Sequence, residues 1–177
     1  MVKSLYNLDK TSNDRSTAEW IVDRMFAEML QAVPMIGNGQ RNIRVLEPTP
    51  GEGAMLSHLK VKFALWDGIV YKAAKGDFFD MPVQKVDVAF VNPPFTPTKY
   101  MMEIMGRVFS FEPKVVVAVM PWLALVNSTR RMQNFIDKGM SKVIALPRRA
   151  FSGGRVQTCI VVIREGHTGS VVLETIV

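Results

Sequence analysis

The sequence predicts an α/β fold, built on an open and mostly parallel β-sheet with helices on both faces. Apolar runs such as residues 115–120 are continuous rather than alternating, which is typical of central strands that helices cover on both sides. Amphipathic segments alternate with these runs, and Gly and Pro punctuate them. With 177 residues and neither an internal repeat nor a low-complexity tract, the chain has the length of one domain.

Hydrophobic periodicity and turn residues place the individual elements. Residues 17–30 have apolar positions at spacings of three and four, with Ser16 or Thr17 placed to cap them, which predicts an amphipathic helix. A short strand at 43–47 stops at Pro48, and glycines lead from it into a helix at 53–60. Further strands are predicted at 61–66, 69–73, 86–91, 114–120, 142–146 and 157–163, and further helices at 100–109 and 128–138.

Composition and charge exclude several classes of function. The chain has 22 Lys and Arg against 16 Asp and Glu, and its formal charge of +6 favours polyanionic partners. One cysteine, Cys159, excludes an internal disulfide framework, and the two histidines have no metal-binding spacing. The longest apolar run, 115–126, is short of the roughly 20 residues that cross a bilayer, and no signal peptide is recognisable. We therefore expect a soluble protein of the reducing cytoplasm that uses no metal.

The first candidate site is the turn Glu47-Pro-Thr-Pro-Gly51-Glu-Gly53, which follows a predicted strand. Neither glycine has a Cβ, so the backbone can approach a nucleotide-like ligand closely. A dinucleotide fingerprint needs a third glycine where Leu56 stands, and Pro50 removes an amide that could hold a phosphate, which disfavours NAD. An acid at the strand end instead suits a positively charged ligand, such as the ammonium and sulfonium groups of S-adenosylmethionine. The alternative is a tight turn that binds nothing.

Two acidic positions follow this turn. Asp67 lies 20 residues beyond Glu47, at the end of the predicted strand 61–66. This offset is close to the roughly 20 residues at which an acid meets ribose hydroxyls in related folds. Asp77 could accept a hydrogen bond from an adenine amino group, with Phe78 covering the ring. The alternative for both acids is ordinary surface-turn chemistry.

The second candidate site, Asn92-Pro-Pro-Phe95, follows directly on a predicted buried strand. Its prolines fix φ and force each preceding residue into an extended conformation, which leaves a rigid segment with unpaired carbonyls. The Asn92 side-chain oxygen and the Pro93 carbonyl could accept both hydrogens of a planar NH2 group, with Phe95 stacked on the attached ring. Two such acceptors favour a more tetrahedral nitrogen whose lone pair points at an electrophile. The alternative is a proline-rich strand exit.

Together these motifs resemble those of the S-adenosylmethionine-dependent adenine-N6 DNA methyltransferases of the gamma arrangement, in which cofactor motifs precede catalytic ones. Residues 143–147, 151–154 and 157–163 are also similar to the last two strands of type I restriction-modification methylation subunits. The resemblance covers residues 17–163 and implies a Rossmann-like class I methyltransferase fold with a seven-stranded sheet and S-adenosylmethionine as cofactor. It implies that the cofactor is held by Thr17, Glu47, Pro48, Thr49, Gly51, Gly53, Asp67, Asp77 and Phe78, and the target amine by Asn92, Pro93, Pro94 and Phe95.

The chain departs from this family in two places. Only eight residues, 68–75, separate Asp67 from Gly76, too few for the helix that the family places there, which leaves the adenine pocket partly open. The family's target-recognition domain does not follow, so we expect weak specificity or a separate recognition subunit, as would suit a small phage-type or stand-alone enzyme. We expect one catalytic domain over residues 1–177, with 1–15 as a flexible N-terminal segment, in a bacterial or phage-infected cell.

Basic residues gather near the expected catalytic face. A duplex base must be flipped to reach such a pocket, so the surrounding surface should contact phosphates. The alternative is a solvated charged surface. The candidate phosphate contacts are Lys99, Arg130, Arg131, Arg148, Arg149 and Arg155.

The sequence therefore favours methyl transfer from S-adenosylmethionine to the N6 amino group of a flipped adenine in DNA. One alternative is the same fold acting on RNA or on a protein glutamine. An alternative of another class is a non-catalytic nucleic-acid-binding or assembly subunit. Retention of both the glycine turn and the catalytic tetrapeptide favours an enzyme over that subunit.

Overall fold

The structure is a computed structural model of the chain and describes residues 17–32, 42–64, 67–72, 78–151 and 156–176. The described helices are α1 Glu19–Ala32, α2 Ala54–Ala64, α3 Thr98–Phe109, α4 Trp122–Val126 and α5 Thr129–Asp137. The described strands are β1 Arg44–Glu47, β2 Ile69–Lys72, β3 Val88–Val91, β4 Val115–Pro121, β5 Met140–Ala145, β6 Thr158–Arg164 and β7 Val172–Thr175. Short 3-10 helices lie at Phe78–Asp80 and Arg148–Ala150. No helix within these ranges is long and apolar enough to cross a membrane.

These strands form one seven-stranded sheet in the order β2-β1-β3-β4-β6-β5-β7. β1 lies between β2 and β3 and is parallel to both, and β3 is parallel to β4. β6 runs antiparallel to its neighbours β4 and β5, whereas β5 and β7 are parallel. The carboxyl ends of β1, β3, β4 and β5 therefore lie along one border of the sheet, called the carboxyl border below. The predicted α/β fold with an open, mostly parallel seven-stranded sheet is confirmed.

Helices cover both faces of the sheet, and this explains the continuous apolar run in β4. All seven residues of that strand are buried. Its odd-numbered valines belong to the core cluster that contains Ile21 of α1 and Phe63 of α2. Its residues at 116, 118 and 120 belong to the opposite cluster, with Ile104 of α3 and Phe135 of α5. A strand that is buried on both faces needs no polar alternation.

The strand predicted at 61–66 is wrong, because residues 61–64 continue α2. Leu59 and Phe63 are four residues apart and fully buried, which is a helical pattern. Beyond the helix, Asp67 adopts a left-handed φ of 51° and the Gly68 N–H donates to the Phe63 carbonyl at 2.9 Å. The seventh strand is instead β7, which has no counterpart among the predicted strands.

Ion pairs hold β7 against the rest of the fold. Glu174 on β7 contacts Lys142 Nζ at 3.0 Å and Arg24 Nη2 at 2.5 Å. Both cations also contact the buried Glu28 of α1, at 2.9 and 2.7 Å respectively. These pairings offset the cost of burying the Glu28 carboxylate, so the cluster joins α1 to β5 and β7.

Candidate active site

The two motifs predicted from the sequence meet at the carboxyl border because their strands are neighbours. β1 ends at Glu47, and β3 ends one residue before Asn92. The two strands are parallel, with Leu46 paired to Ala89, so Asn92 extends beyond the end of β1. Open α/β sheets bind their ligands at this border.

Glu47 is a fully buried carboxyl, and neither of its oxygens has a hydrogen-bond partner among the described residues. Burial raises its pKa from 4.5 to about 8. The Thr49 backbone N–H lies near enough to lower the pKa in part, but it does not reach hydrogen-bond geometry. A buried carboxylate without a partner is costly, so a ligand that brings a cation or a donor would be bound favourably here. The two oxygens therefore fit the ammonium-bearing cofactor expected from the sequence.

The glycine turn after Glu47 has the backbone shape that its sequence predicts. Gly51 and Gly53 have φ values of 51° and 86°, in the region that L-residues rarely adopt. A Cβ added to Gly53 would meet no atom within 4 Å, so conformation rather than crowding requires glycine there. The Gly53 carbonyl accepts from the backbone N–H and the hydroxyl of Ser57, both at 2.9 Å, and α2 begins directly after it. The backbone at Gly53 is thus open on the side where a Cβ would lie.

Asn92 is joined to two other segments by hydrogen bonds. Its Nδ2 donates to Oγ1 of Thr17, which lies just before α1, at 2.8 Å. Oγ1 of Thr49, two residues after β1, donates to the Asn92 carbonyl at 3.1 Å. The Thr17 hydroxyl is buried, and in this orientation of the amide Oδ1 is its acceptor atom. The structure therefore brings together three residues that the sequence assigned separately to the cofactor and to the target amine.

Phe95 packs against an aromatic residue that follows another strand of the sheet. Pro93 is buried, and Pro94 and Phe95 are half-buried. The Phe95 ring meets Phe151 edge to face, with centroids 6.2 Å apart and an interplanar angle of 84°. Phe151 follows β5, so the connection from β5 to β6 positions the aromatic residue of the motif that follows β3.

An open cleft of about 240 Å³ lies beyond Phe95. Its walls come from the loop after β3, from α4 and from the first turn of α5, and they include Leu123, Asn127 and Arg131. Sequence reasoning did not single out Leu123, Asn127 or Phe151 as site residues. Their positions in the sequence could have indicated a site, because each residue follows the carboxyl end of a strand in the parallel part of the sheet.

Asp67 and Phe78, two of the predicted cofactor residues, differ from their predicted roles. Asp67 lies in the turn before β2 rather than at a strand end. Because Ile69 pairs with Arg44 at the start of β1, Asp67 is at the border opposite Glu47, and its assignment to the ribose is wrong. Phe78 is buried and stacks on Phe111, with centroids 5.7 Å apart and an interplanar angle of 18°, so core packing already uses its ring. Asp77 lies outside the described residues.

The predicted phosphate contacts follow the carboxyl ends of three strands. Lys99 lies in the first turn of α3, Arg130 and Arg131 in that of α5, and Arg148 in the 3-10 helix after β5. Lys99, Arg130 and Arg148 are exposed, and Arg131 is half-buried. The side chain of Arg149 and the whole of Arg155 lie outside the described part of the chain. Lys99, Arg130, Arg131 and Arg148 are thus on the same border as Asn92, and their contact with phosphate stays a prediction.

Two other sequence expectations concern chemistry outside this site. Cys159 is buried on β6, which confirms the predicted buried strand position, and burial raises the pKa of its thiol to about 12. Among the described residues, no group of three or more His, Cys, Asp or Glu is placed to hold a metal ion.

The fold is similar to that of solved methyltransferases. A Listeria monocytogenes protein assigned to the class I S-adenosylmethionine-dependent methyltransferases aligns over 90% of this chain, with a TM-score of 0.67 and 14% identity. The type I restriction-modification methyltransferase subunit of Streptococcus thermophilus aligns over 86%, with a TM-score of 0.64 and 13% identity. The 23S rRNA methyltransferase ErmE aligns over 86%, with a TM-score of 0.50 and 13% identity. No protein-family model matches the sequence, and neither does any curated protein.

These comparisons establish the fold: the chain has the Rossmann-like fold of the class I S-adenosylmethionine-dependent methyltransferases. It spans 65% of the length of the Listeria chain and 44% of the Streptococcus chain. The fold class predicted from the sequence is confirmed. Because one fold hosts many chemistries, the substrate has to be argued from the site itself.

Proposed function

We propose that this protein transfers a methyl group from S-adenosylmethionine to the N6 amino group of adenine in DNA. The observation that carries the proposal is that Thr49, two residues after the buried Glu47, hydrogen-bonds to Asn92. Neither Glu47 oxygen has a hydrogen-bond partner among the described residues. The bond from Thr49 joins a segment suited to a cationic cofactor to a segment suited to a planar amine. The fold shared with methyltransferases supports the same conclusion.

The cofactor half of the proposed site consists of residues around the end of β1. Glu47 would hold the cationic part of the cofactor, and Pro48 to Gly53 would leave the backbone open to it. Thr17 and Thr49 would fix the distance between cofactor and target, because both hydrogen-bond to Asn92. When bound, S-adenosylmethionine supplies an electrophilic methyl group on a sulfonium sulfur.

The target half would act by orientation. Oδ1 of Asn92 and the carbonyl of Pro93 would accept the two amino hydrogens, and Phe95 would stack on the base. The lone pair of the nitrogen held there would form its new bond to the methyl carbon as the carbon–sulfur bond breaks and its electron pair leaves with sulfur. The nitrogen releases its extra proton afterwards, so no side chain has to remove a proton before transfer. Holding the amine in this way would lower the barrier to methyl transfer through positioning and electrostatic stabilisation.

A nucleic acid as substrate is supported by the charge of +6 and by the basic residues along the carboxyl border. One similar structure is a methyltransferase subunit of a restriction-modification system, and a separate chain would then read the target sequence. A second candidate is an RNA base, because another similar structure is an rRNA methyltransferase. A protein glutamine presents the same planar amide to the tetrapeptide.

Parallel methyl-transfer assays test this proposal. Tritiated S-adenosylmethionine is incubated with unmethylated DNA, with RNA and with a protein extract, using the wild type, Asn92→Ala and the matched control Asn134→Ala. Asn134 is exposed on α5 and lies in neither motif, so its substitution should leave transfer unchanged. We expect label in DNA, recovered as N6-methyladenine and abolished by Asn92→Ala. Label in RNA or protein alone would refute DNA as substrate, and transfer that survives Asn92→Ala would refute the catalytic assignment.

A further inference from the structure

The cleft beyond Phe95 is separate from the place where the target amine would be held. Its described lining begins at Phe95 and continues through Thr96 and Thr98, and it does not include Asn92, Pro93 or Pro94. Phe95 therefore belongs both to the tetrapeptide proposed to hold the amine and to the lining of this cleft. With about 240 Å³ of room, the cleft can take a group of its own.

One wall of the cleft carries a positioned cation. Nε of Arg131 donates to the Ala124 carbonyl at 2.8 Å, and the Arg131 backbone N–H donates to Oγ of Ser128 at 3.3 Å. No carboxylate of the described residues forms an ion pair with Arg131, in contrast to Arg24 and Lys142, which each pair with two carboxylates. Two of its nitrogens thus remain as donors for an anion, and the Ala124 contact fixes where they can reach.

The described lining of the cleft is also partly apolar. It includes Leu123, which is 57% exposed, the half-buried Phe95 and the buried Pro121. Apolar side chains together with one fixed cation fit a ligand with a flat apolar part and one negative charge. A nucleotide unit within a chain has both, because its base can pack on apolar side chains while its phosphodiester contacts arginine.

We propose that this cleft binds the nucleotide adjacent to the target base, with Arg131 on its phosphodiester and its base against Leu123. The inference rests on the proposed function, because it takes the target base to lie on the other side of Phe95. It assigns Arg131 and Leu123 to substrate positioning rather than to catalysis. It also predicts that the protein distinguishes a nucleotide chain from an isolated nucleoside.

Methyl transfer to short acceptors of increasing length tests whether the cleft binds a neighbouring nucleotide. The probes are deoxyadenosine, d(TpA), d(ApT) and d(TpApT), with tritiated S-adenosylmethionine as donor. We expect the wild type to use d(TpApT) with a lower KM than deoxyadenosine. Arg131→Gln should raise the KM for d(TpApT) about tenfold, the effect of one charged hydrogen bond, and should change the KM for deoxyadenosine by far less. Arg164→Gln is the matched control, because Arg164 is exposed at the opposite border, where it pairs with Val115.

A second pair of variants tests whether the neighbouring nucleotide occupies the cleft, and neither variant removes a charged side chain. Leu123→Trp should fill the cleft and remove the advantage of d(TpApT). Val126→Trp should not, because Val126 is on the same short helix, is 39% exposed and does not line the cleft. Thermal melting of all four variants shows whether each is folded.

Binding supplies a readout that does not depend on transfer. The anisotropy of a labelled single-stranded dodecamer is followed over a range of salt concentrations. The slope of log K against log salt is negative, and loss of one phosphate contact in Arg131→Gln should reduce its magnitude by about 0.7. Arg164→Gln should keep the wild-type slope.

The outcomes separate the subsite from the proposed function. If Arg131→Gln and Leu123→Trp impair deoxyadenosine and d(TpApT) equally, the cleft belongs to the target base and the subsite is refuted. Equal use of both acceptors by the wild type would also refute it. If no nucleic acid accepts label, the proposed function fails, and the binding slope alone then decides whether Arg131 contacts phosphate.

Discussion

Glu47 should make the ligand-free protein less stable as the pH rises, and Glu47→Gln should remove this dependence. The carboxyl is fully buried, and burial raises its pKa from 4.5 to about 8. An acid with a raised folded-state pKa binds its proton more tightly in the folded chain than in the unfolded chain. Its contribution therefore favours folding at low pH and is lost as the pH rises from about 4.5 towards 8. Glutamine keeps the shape of the side chain and has no proton to lose in this range.

The size of the effect follows from the two pKa values. Their difference of about 3.5 units corresponds to about 5 kcal/mol of unfolding free energy, at about 1.36 kcal/mol per unit. Between about pH 5.5 and about pH 7.5 the folded form holds nearly one proton more than the unfolded chain, so the wild type should lose about 2.5 kcal/mol. This is a large part of the roughly 5–15 kcal/mol that stabilises a typical domain.

Asp87 and Glu174 also have shifted pKa values, but they affect the stability of the protein in a different pH range. Burial opposes the charge of Asp87, but hydrogen bonds from Arg44 and Lys114 hold its pKa below the usual value. The hydrogen bond from Lys142 likewise lowers the pKa of Glu174. Stability from these two acids is lost only as the pH falls through their lowered values, below the window in which Glu47 acts.

Urea unfolding followed by circular dichroism at several pH values measures this effect. The exposed Glu165 provides the control, since Glu165→Gln should keep the pH dependence of the wild type. Glu47→Gln should match the wild type near pH 5 and exceed it in stability by an amount that grows up to about pH 8. Parallel curves for the wild type and Glu47→Gln would show that the carboxyl has a partner, and would remove the reason for placing a cation there.

Four further predictions concern other residues. Gly139 has a φ of 92°, and a Cβ there would lie 2.0 Å from the Arg164 carbonyl oxygen; Gly139→Ala should therefore lower the unfolding free energy by more than about 1 kcal/mol in urea titrations. Gly106→Ala, within α3 and with open space for a Cβ, should instead raise it by about 0.5–1 kcal/mol. A maleimide should label Cys159 only after unfolding, because the buried thiol has its pKa raised to about 12; mass spectrometry of native and urea-treated protein checks this. Phe151→Ala should lower the rate of methyl transfer while the affinity for S-adenosylmethionine, measured by calorimetry, stays the same, because the ring of Phe151 packs against Phe95 of the target half.

The parts of the site that depend on neighbouring strands could be predicted from the sequence. Glu47 and Asn92 each follow a short apolar run, and parallel strands bring such positions to one border. The glycines at 51 and 53 were recognisable because a left-handed turn between strand and helix requires them. These features are local, so residue type and spacing are enough to find them.

Features that depend on long-range packing could not be predicted in the same way. Asp67 has the expected spacing from Glu47, but the assignment assumed a strand at 61–66, and the burial of Phe63 makes that segment helical. The contact of Phe151 with Phe95 joins residues 56 positions apart, a distance over which periodicity carries no information. β7 is short, and its outer residues are exposed, so what fixes it is the ion-pair cluster around Glu28 rather than its own hydrophobic pattern.

The two halves of the proposed site differ in how far they are organised before a ligand arrives. Asn92 is held by Thr17 and Thr49, and Phe95 by Phe151, so the target half needs little rearrangement to receive an amine. Glu47 has no such support among the described residues and keeps its proton at neutral pH because its charged form is not solvated. A cationic ligand that ionises Glu47 would supply the missing interaction and release that proton. Cofactor binding should therefore increase stability more at pH 8 than at pH 6, whereas binding at Asn92 should have no such dependence.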